Sequence, residues 1–475
     1  MNGPIRKVSV LVMVMFLALM VNMSYSYVFR TESLRSDPNN RRVRDAEFGT
    51  DRGDILVGNT PVATSSAVND RYQFQRKYPQ GTLYAPVTGY FSFMYVSSAL
   101  EQSQNQALTG QSDAQFLQRM VDTATGKTPV GATVQTTLDA RAQRAAYSAL
   151  GDRPGAVVAM DYSTGAVLAM VSTPSYDPNQ LASHDLTASQ KAWSSLTNNS
   201  DQPMLNRSAK NVYPPGSTFK LVTSAAALTD GMSSSSMIPA GKSYRLPNST
   251  AVINNADDCG GSSITLAQAL KTSCNTAYAQ LGVRLGDDKI RAQAQKFGFG
   301  ATQLADIGAV ASRFPANPDA AQTAMSAIGQ FEVAATPLQM CMVAAGVAND
   351  GVVMEPYIVS QVRGADLNVL SNHNPRQLSV AMSATDARQL QQMMVGVVQG
   401  GTGTRAQISG VTVGGKTGTA RSDGKRPPYA WFVAWANDPK VAVAVFVQDS
   451  GATTAETSGG RFAGPIAKRV IEALR

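Results

Sequence analysis

The sequence predicts an α+β protein whose main sheet is assembled from both ends of one domain. Two apolar runs, 156–161 and 166–171, flank the turn residues Tyr162, Ser163, Thr164 and Gly165, and together they read as a hairpin. Three more strand-like runs, 411–420, 430–436 and 441–448, precede a terminal helix over 465–475 with Pro465 in its first turn. The stretch between the two groups is mostly helical, with few strand signals. Strands from both ends around a helical middle give a layered sheet flanked by helices.

At the N-terminus, Arg6 and Lys7 precede an apolar run from Val8 to about Val28, interrupted only by Ser9, Asn22, Ser24 and Ser26. A helix of that length spans about 30 Å, the thickness of a bilayer's hydrocarbon core. The alternative is a cleaved signal peptide, with Ser24-Tyr25-Ser26 as a weak cleavage site, but the run is long for one. Residues 1–29 are thus expected to be a cytoplasmic tip and single-pass anchor, and the Arg-rich segment 30–47 a juxtamembrane linker. Arg30, Arg35, Arg41, Arg42 and Arg44 outnumber Arg6 and Lys7, so charge counting alone would leave the large domain in the cytoplasm. Long downstream domains translocate despite such charges, so orientation has to rest on the chemistry.

Residues 48–150 read as a small mixed region. At its end Asp139, after Thr137-Leu138, is placed to cap a helix through Ala149. Residues 151–475 read as the larger domain. The chain has 475 residues, 43% hydrophobic and 16% charged, enough for a sizeable core in two or three domains. Its net charge of +8 comes from scattered basic residues without a nucleic-acid motif, and it suits a surface facing anionic polymers or lipid headgroups. The two histidines, His184 and His373, stand in polar stretches and read as surface residues. A Ser-His-Asp triad or a His-rich metal site therefore has little support, and no metal or cofactor is expected. Cys259 and Cys274 bracket a short polar loop. Outside the membrane they can close a disulfide worth roughly 3 kcal/mol, or remain two buried thiols. Cys341 lies in an apolar helical run and reads as core.

The chemistry centres on Tyr213-Pro-Pro-Gly-Ser217-Thr-Phe-Lys220, followed by the apolar run 221–228. Pro and Gly stop the preceding chain, and the apolar run predicts a buried helix. Ser217 and Lys220, three residues apart, then share one face of its first turn. A serine needs a base to become a nucleophile. Desolvation and a helix N-terminus both disfavour the charged form of a lysine, which makes Lys220 a coherent base. A second Ser-x-x-Lys, Ser422-Asp423-Gly424-Lys425, lies in a polar loop where the lysine stays hydrated.

Two further segments follow: Ser273-Cys274-Asn275, between a helix and an apolar run, and Lys416-Thr417-Gly418-Thr419, in the strand-like 411–420 stretch. Taken singly they read as a helix junction and a strand edge. Together, and in this order, the three segments match the set found in penicillin-recognising serine enzymes.

On these motifs the chain resembles a class B penicillin-binding protein of the short actinobacterial type. Asp51-Arg52-Gly53-Asp54-Ile55, Asn206-Arg207, Thr336-Pro337-Leu338-Gln339-Met340 and Ala430-Trp431-Phe432-Val433 extend the likeness over nearly the whole sequence. Two departures are Gly329-Gln330-Phe331 in place of Gly-Gln-Gly, and Tyr429 where relatives often carry a polar residue or His.

The resemblance implies a transpeptidase domain like that of penicillin-binding proteins and serine β-lactamases. It would have a five-stranded antiparallel sheet flanked by helices, a mostly helical part and a small non-catalytic, pedestal-like N-terminal domain. It implies a membrane-bound, extracytoplasmic peptidoglycan D,D-transpeptidase that acts on D-Ala-D-Ala stem peptides and is acylated by β-lactams. Ser217 would be the nucleophile, Lys220 its base and Ser273 a proton relay. Asn275, Lys416, Thr417, Gly418 and Thr419 would bind substrate, and the backbone N–H groups of Ser217 and Thr419 would form the oxyanion hole. A glycosyltransferase and division proteins are the partners it suggests. A D,D-carboxypeptidase, a β-lactamase or a non-catalytic division scaffold would carry the same motifs.

Overall fold

The computed structural model describes residues 2–30, 33, 45, 48–126, 130–422 and 427–475. Most of the 30–47 linker lies outside them. The N-terminal run is one helix, Asn2–Phe29, apolar and long enough to cross a membrane, with its side chains exposed.

Five antiparallel strands form the catalytic sheet, in the order Val413–Ala420, Tyr429–Ala436, Val441–Val447, Gly155–Met160, Val167–Thr173. Both of its faces are dry. Val158, Met160, Val433 and Phe446 enter one core, and Val157, Ala159, Phe432 and Val445 the other. Strands buried on both sides do not alternate apolar with polar, which is why they appear in the sequence as continuous apolar runs. Complete burial of a side chain such as Phe446 contributes about 1.5–3 kcal/mol.

On one face lies the helix Pro337–Ala348, buried on all sides and apolar except for Gln339. Thr336 caps it by accepting a hydrogen bond from the Gln339 N–H at 3.0 Å. On the other face pack the helices Ala140–Leu150 and Gly464–Ala473. Asp139 caps the first of these through the N–H groups of Arg141 and Ala142.

A second, six-stranded sheet has the order Val369–Asn372, Val359–Arg363, Thr133–Thr136, Ile55–Val57, Thr60–Ala67, Phe74–Lys77. Its first two strands come from the helical middle of the chain, which also holds four strands of three residues each between Met237 and Thr265. The expectation of few strands between the two groups of apolar runs is therefore corrected. These strands are three to five residues long and largely exposed, so no apolar run marks them.

Beneath this sheet Arg52 and Arg76 each donate an Nε–H to the Glu101 carboxylate at 2.6 Å, and the Tyr78 hydroxyl donates to it at 3.0 Å. All four side chains are buried. Burial alone would push the Glu101 carboxyl up, but the Arg76 and Arg52 guanidiniums overcome this and hold it below the usual carboxylate range. Gly53 is required beside Arg52, because a Cβ there would lie 2.0 Å from the Ala132 carbonyl oxygen.

The histidines are not simple surface residues. The His184 ring lies 5.2 Å from Phe48 and 4.9 Å from Tyr72, with Nδ1 2.5 Å from Asp70 Oδ2. His373 stacks on Tyr357 at 3.8 Å. In both cases the enclosing groups come from elsewhere in the fold as well as from the polar neighbours in sequence. Cys259 and Cys274 are joined in a disulfide, and Cys341 is a buried free thiol.

Candidate active site

Ser217 sits in a 3-10 turn, Gly216–Phe219, that runs directly into the helix Lys220–Thr229. With three residues per turn, positions 217 and 220 eclipse one another on one face. Gly216 has φ +53°, and a Cβ there would press to 2.9 Å from the Thr419 carbonyl oxygen. The turn is also held from behind, where the Gly216 N–H donates to the Gly329 carbonyl at 2.9 Å. A Cβ on Gly329 would lie 2.1 Å from the Gly216 oxygen. Two residues on, Phe331 has φ +60° and is 43% exposed, so the substitution in the Gly-Gln-Gly pattern places a bulky side chain in the left-handed region.

Lys220 is fully buried and lies over the Tyr278 ring at 5.4 Å. Its amine donates to the Ser273 carbonyl at 2.7 Å and to Asn275 Oδ1 at 2.7 Å, and sits 3.3 Å from Ser273 Oγ. The expected Ser217–Lys220 hydrogen bond is not among them: among the described residues, these are the hydrogen bonds the amine makes. Burial holds Lys220 well below the ordinary lysine range, and the nearby Lys416 charge lowers it further. A neutral amine has two N–H donors and one lone pair. The two short contacts go to pure acceptors and use both donors, which leaves the lone pair for a hydroxyl proton.

Ser273 joins the two lysines. It stands at φ +58°, rare for a residue other than glycine, between the helices Leu266–Lys271 and Asn275–Leu285. Its Oγ accepts from Lys416 Nζ at 2.8 Å. Lys416 is likewise fully buried, and desolvation brings it down to about 7. It also donates to its neighbour's carbonyl, Thr417 O, at 2.9 Å. Asn275 is fixed at both ends, because its Nδ2 donates to the Asn254 carbonyl at 3.1 Å.

Lys416, Thr417, Gly418 and Thr419 lie on the outermost strand of the catalytic sheet. Thr417 is buried and its hydroxyl pairs with Thr402 at 2.7 Å, whereas Thr419 is exposed on the strand. Gly418 permits the approach of the serine turn: a Cβ there would meet Pro215 O and Thr218 Cγ2, both at 2.9 Å. The three sequence segments thus converge, with Ser217 beside the Lys-Thr-Gly strand and Ser273 between two buried amines. In the second Ser-x-x-Lys, Asp423, Gly424 and Lys425 lie outside the described residues.

Three supporting positions were missed. Tyr278 walls the Lys220 amine and hydrogen-bonds Ser224 at 2.6 Å; its only sequence signal is its i+3 spacing from Asn275. Thr402 braces Thr417, and Gly459 admits the Trp431 carbonyl at a distance of 1.9 Å from where its Cβ would stand. Tyr429, the other departure, packs edge-on against Tyr213 at 5.8 Å and Phe446 at 5.4 Å.

Residues 155–472 match the penicillin binding protein transpeptidase domain, and residues 52–134 match the penicillin binding protein A dimerisation domain. The chain is 42% identical to the peptidoglycan D,D-transpeptidase PbpA of Mycolicibacterium smegmatis, over 100% of this chain and 99% of that one. It is 40% identical to the Mycobacterium tuberculosis protein of the same name, again over 100% and 99%. The ceftriaxone acyl-enzyme structure of M. tuberculosis penicillin-binding protein A superposes with a TM-score of 0.87 at 40% identity, covering 90% of this chain and 99% of that one. With full-length likeness in sequence and fold, the chain belongs to the class B penicillin-binding proteins of the penicillin-binding protein A type.

Proposed function

We propose that this chain is a serine peptidoglycan D,D-transpeptidase that β-lactams acylate. The observation that carries this reading is Ser273, hydrogen-bonded between two buried, desolvated lysines beside the Ser217 turn. Ser217 Oγ attacks the carbonyl of the penultimate D-Ala, and its proton passes to the neutral Lys220. Backbone N–H groups of Ser217 and Thr419 stabilise the developing oxyanion; losing one such donor costs about 3 kcal/mol. The C–N bond then breaks, and the departing D-Ala amine takes a proton through Ser273. The amine of a neighbouring stem peptide attacks the acyl-enzyme, forms the cross-link and frees Ser217. Asn275 orients the substrate amide, while Lys416, Thr417 and Thr419 receive the terminal carboxylate along a strand that Gly418 keeps close. In a β-lactam the leaving nitrogen stays tethered, so the acyl-enzyme persists.

The same proposal places residues 1–29 as the anchor, 30–47 as the linker, 48–150 as a pedestal and 151–475 as the extracytoplasmic catalytic domain. The disulfide supports an oxidising compartment. The partners are a glycosyltransferase and division proteins, which meet the anchor and pedestal.

Two outcomes test this function. Full-length protein labelled with a fluorescent penicillin should keep its label over many minutes after excess drug is removed; rapid loss would indicate a hydrolase. The second concerns pH. Desolvation brings Lys416 to about 7, so it is charged below that pH and neutral above, while Lys220 is held well below the ordinary lysine range by burial. The second-order rate of penicillin acylation should therefore fall as pH rises past 7, approaching about tenfold per unit. A rate that climbs steadily with pH would count against charge attraction by Lys416.

A further inference from the structure

The loop from Tyr90 to Ser98 is pinned at its neck. The Tyr90 N–H donates to Ser98 Oγ and the Ser98 N–H donates to the Tyr90 carbonyl, both at 3.2 Å. Gly89, at φ +70°, lets the two ends meet, since a Cβ there would lie 2.1 Å from the Ser98 carbonyl oxygen. Within the loop the side chains divide. Phe91 and Phe93 are buried in an aromatic cluster with Phe48 and Tyr72. Met94 and Val96 are 37% and 64% exposed. Between them in sequence, Tyr95 stacks flat on Trp193 of the helix Leu186–Thr197, with ring centroids 4.0 Å apart, and both residues are only partly buried. A fixed loop that shows neighbouring apolar and aromatic side chains to solvent marks a binding surface.

The path of the chain says what that surface meets. Phe48 stands where the linker enters the folded body, and its ring lies 5.1 Å from Phe91 and 5.3 Å from Phe93. Leu186 packs against the same cluster, and Trp193 follows on the same helix about 10 Å further along. The segment that comes from the N-terminal apolar helix therefore joins the body next to this patch. Its Arg30, Arg35, Arg41, Arg42 and Arg44 are attracted to anionic headgroups, which favours holding Phe48 close to the lipid surface. Lys191, exposed on the Trp193 helix, adds a charge of the same sign. Tyrosine and tryptophan, each an apolar ring with one polar edge, are the side chains that settle at headgroup depth.

We infer that Met94, Tyr95, Val96 and Trp193 form a foot that enters the headgroup region of the bilayer and sets how the folded body stands on it. The inference rests on the anchor reading of residues 1–29 and not on the transpeptidase chemistry.

Tryptophan emission tests it. The chain has three tryptophans; Trp431 and Trp435 are buried in the catalytic sheet, and the apolar helix Asn2–Phe29 carries none. The full chain is reconstituted into vesicles of equal parts phosphatidylcholine and phosphatidylglycerol, with or without bromines on the acyl chains near the headgroup. The difference between wild type and Trp193→Phe in plain vesicles defines the emission of Trp193. Bromines should quench most of that share and leave the emission of Trp193→Phe unchanged. Met94→Glu combined with Val96→Glu, which keeps Trp193, should abolish the quenching. Emission that ignores the bromines in a chain that floats with the vesicles would assign the patch to a protein partner and overturn the foot alone; a chain that does not float would overturn the anchor and the foot together. Quenching that survives the double glutamate variant would also overturn the foot.

Discussion

Lys220→Met should lower the rate of penicillin acylation by about 10²–10⁴, the range spanned by a positioned general base. The substitution fits the site sterically, because Lys220 already lies fully buried over Tyr278 with only its terminal amine in polar contact. It removes the lone pair that accepts a proton and leaves the Ser273 carbonyl and Asn275 Oδ1 without their donor. Each buried acceptor left unsatisfied costs about 1–3 kcal/mol, so some loss of stability accompanies the kinetic defect. Stopped-flow acylation separates the two effects: a folded variant, judged by its circular dichroism, should still acylate slowly. Near wild-type acylation by Lys220→Met would remove Lys220 from the mechanism and turn attention to Ser273 and Lys416.

The second large effect is structural. Glu101→Ala should destabilise the N-terminal sheet by about 3–5 kcal/mol, since it strands two buried guanidiniums that share one carboxylate. Tyr78 loses its acceptor as well. Hydrogen exchange of the Ile55–Val57 and Thr133–Thr136 amides reads this directly, and unchanged protection would show that the network is dispensable. The same network sets an acid limit. The folded-state pKa of Glu101 is lowered, so its stabilisation is fully present above the unfolded value of about 4.3 and is lost as pH falls through the folded value.

How far the sequence discloses this molecule depends on whether a feature is local. The catalytic strands are legible because burial on both faces makes each an unbroken apolar run, as in Val-Ala-Val-Ala-Val-Phe-Val over Val441–Val447. Asp139 and Thr336 are legible as helix caps because a cap acts within three residues. Ser217 and Lys220 are legible as a pair because one turn of helix brings them onto one face. What Lys220 touches is not legible, since its partners lie 53 and 55 residues away. Arg52 stands out within Arg-Gly-Asp-Ile, but its counter-charge, Glu101, is 49 residues away with no motif of its own. Strands Val359–Arg363 and Val369–Asn372 were missed because they are short and mixed in polarity: the first pairs with Thr133–Thr136, nearly half the chain length away, and the second pairs with the first. His184 was misread because the rings it packs against, Phe48 and Tyr72, are brought to it by tertiary contact.

The most direct test of the proposed chemistry is intact-protein mass spectrometry of the full chain after exposure to benzylpenicillin, with the adduct mapped to a peptide. A single adduct on the peptide carrying Ser217, absent from Ser217→Ala, is the predicted result. An adduct that persists in Ser217→Ala, or maps to any other peptide, would contradict it.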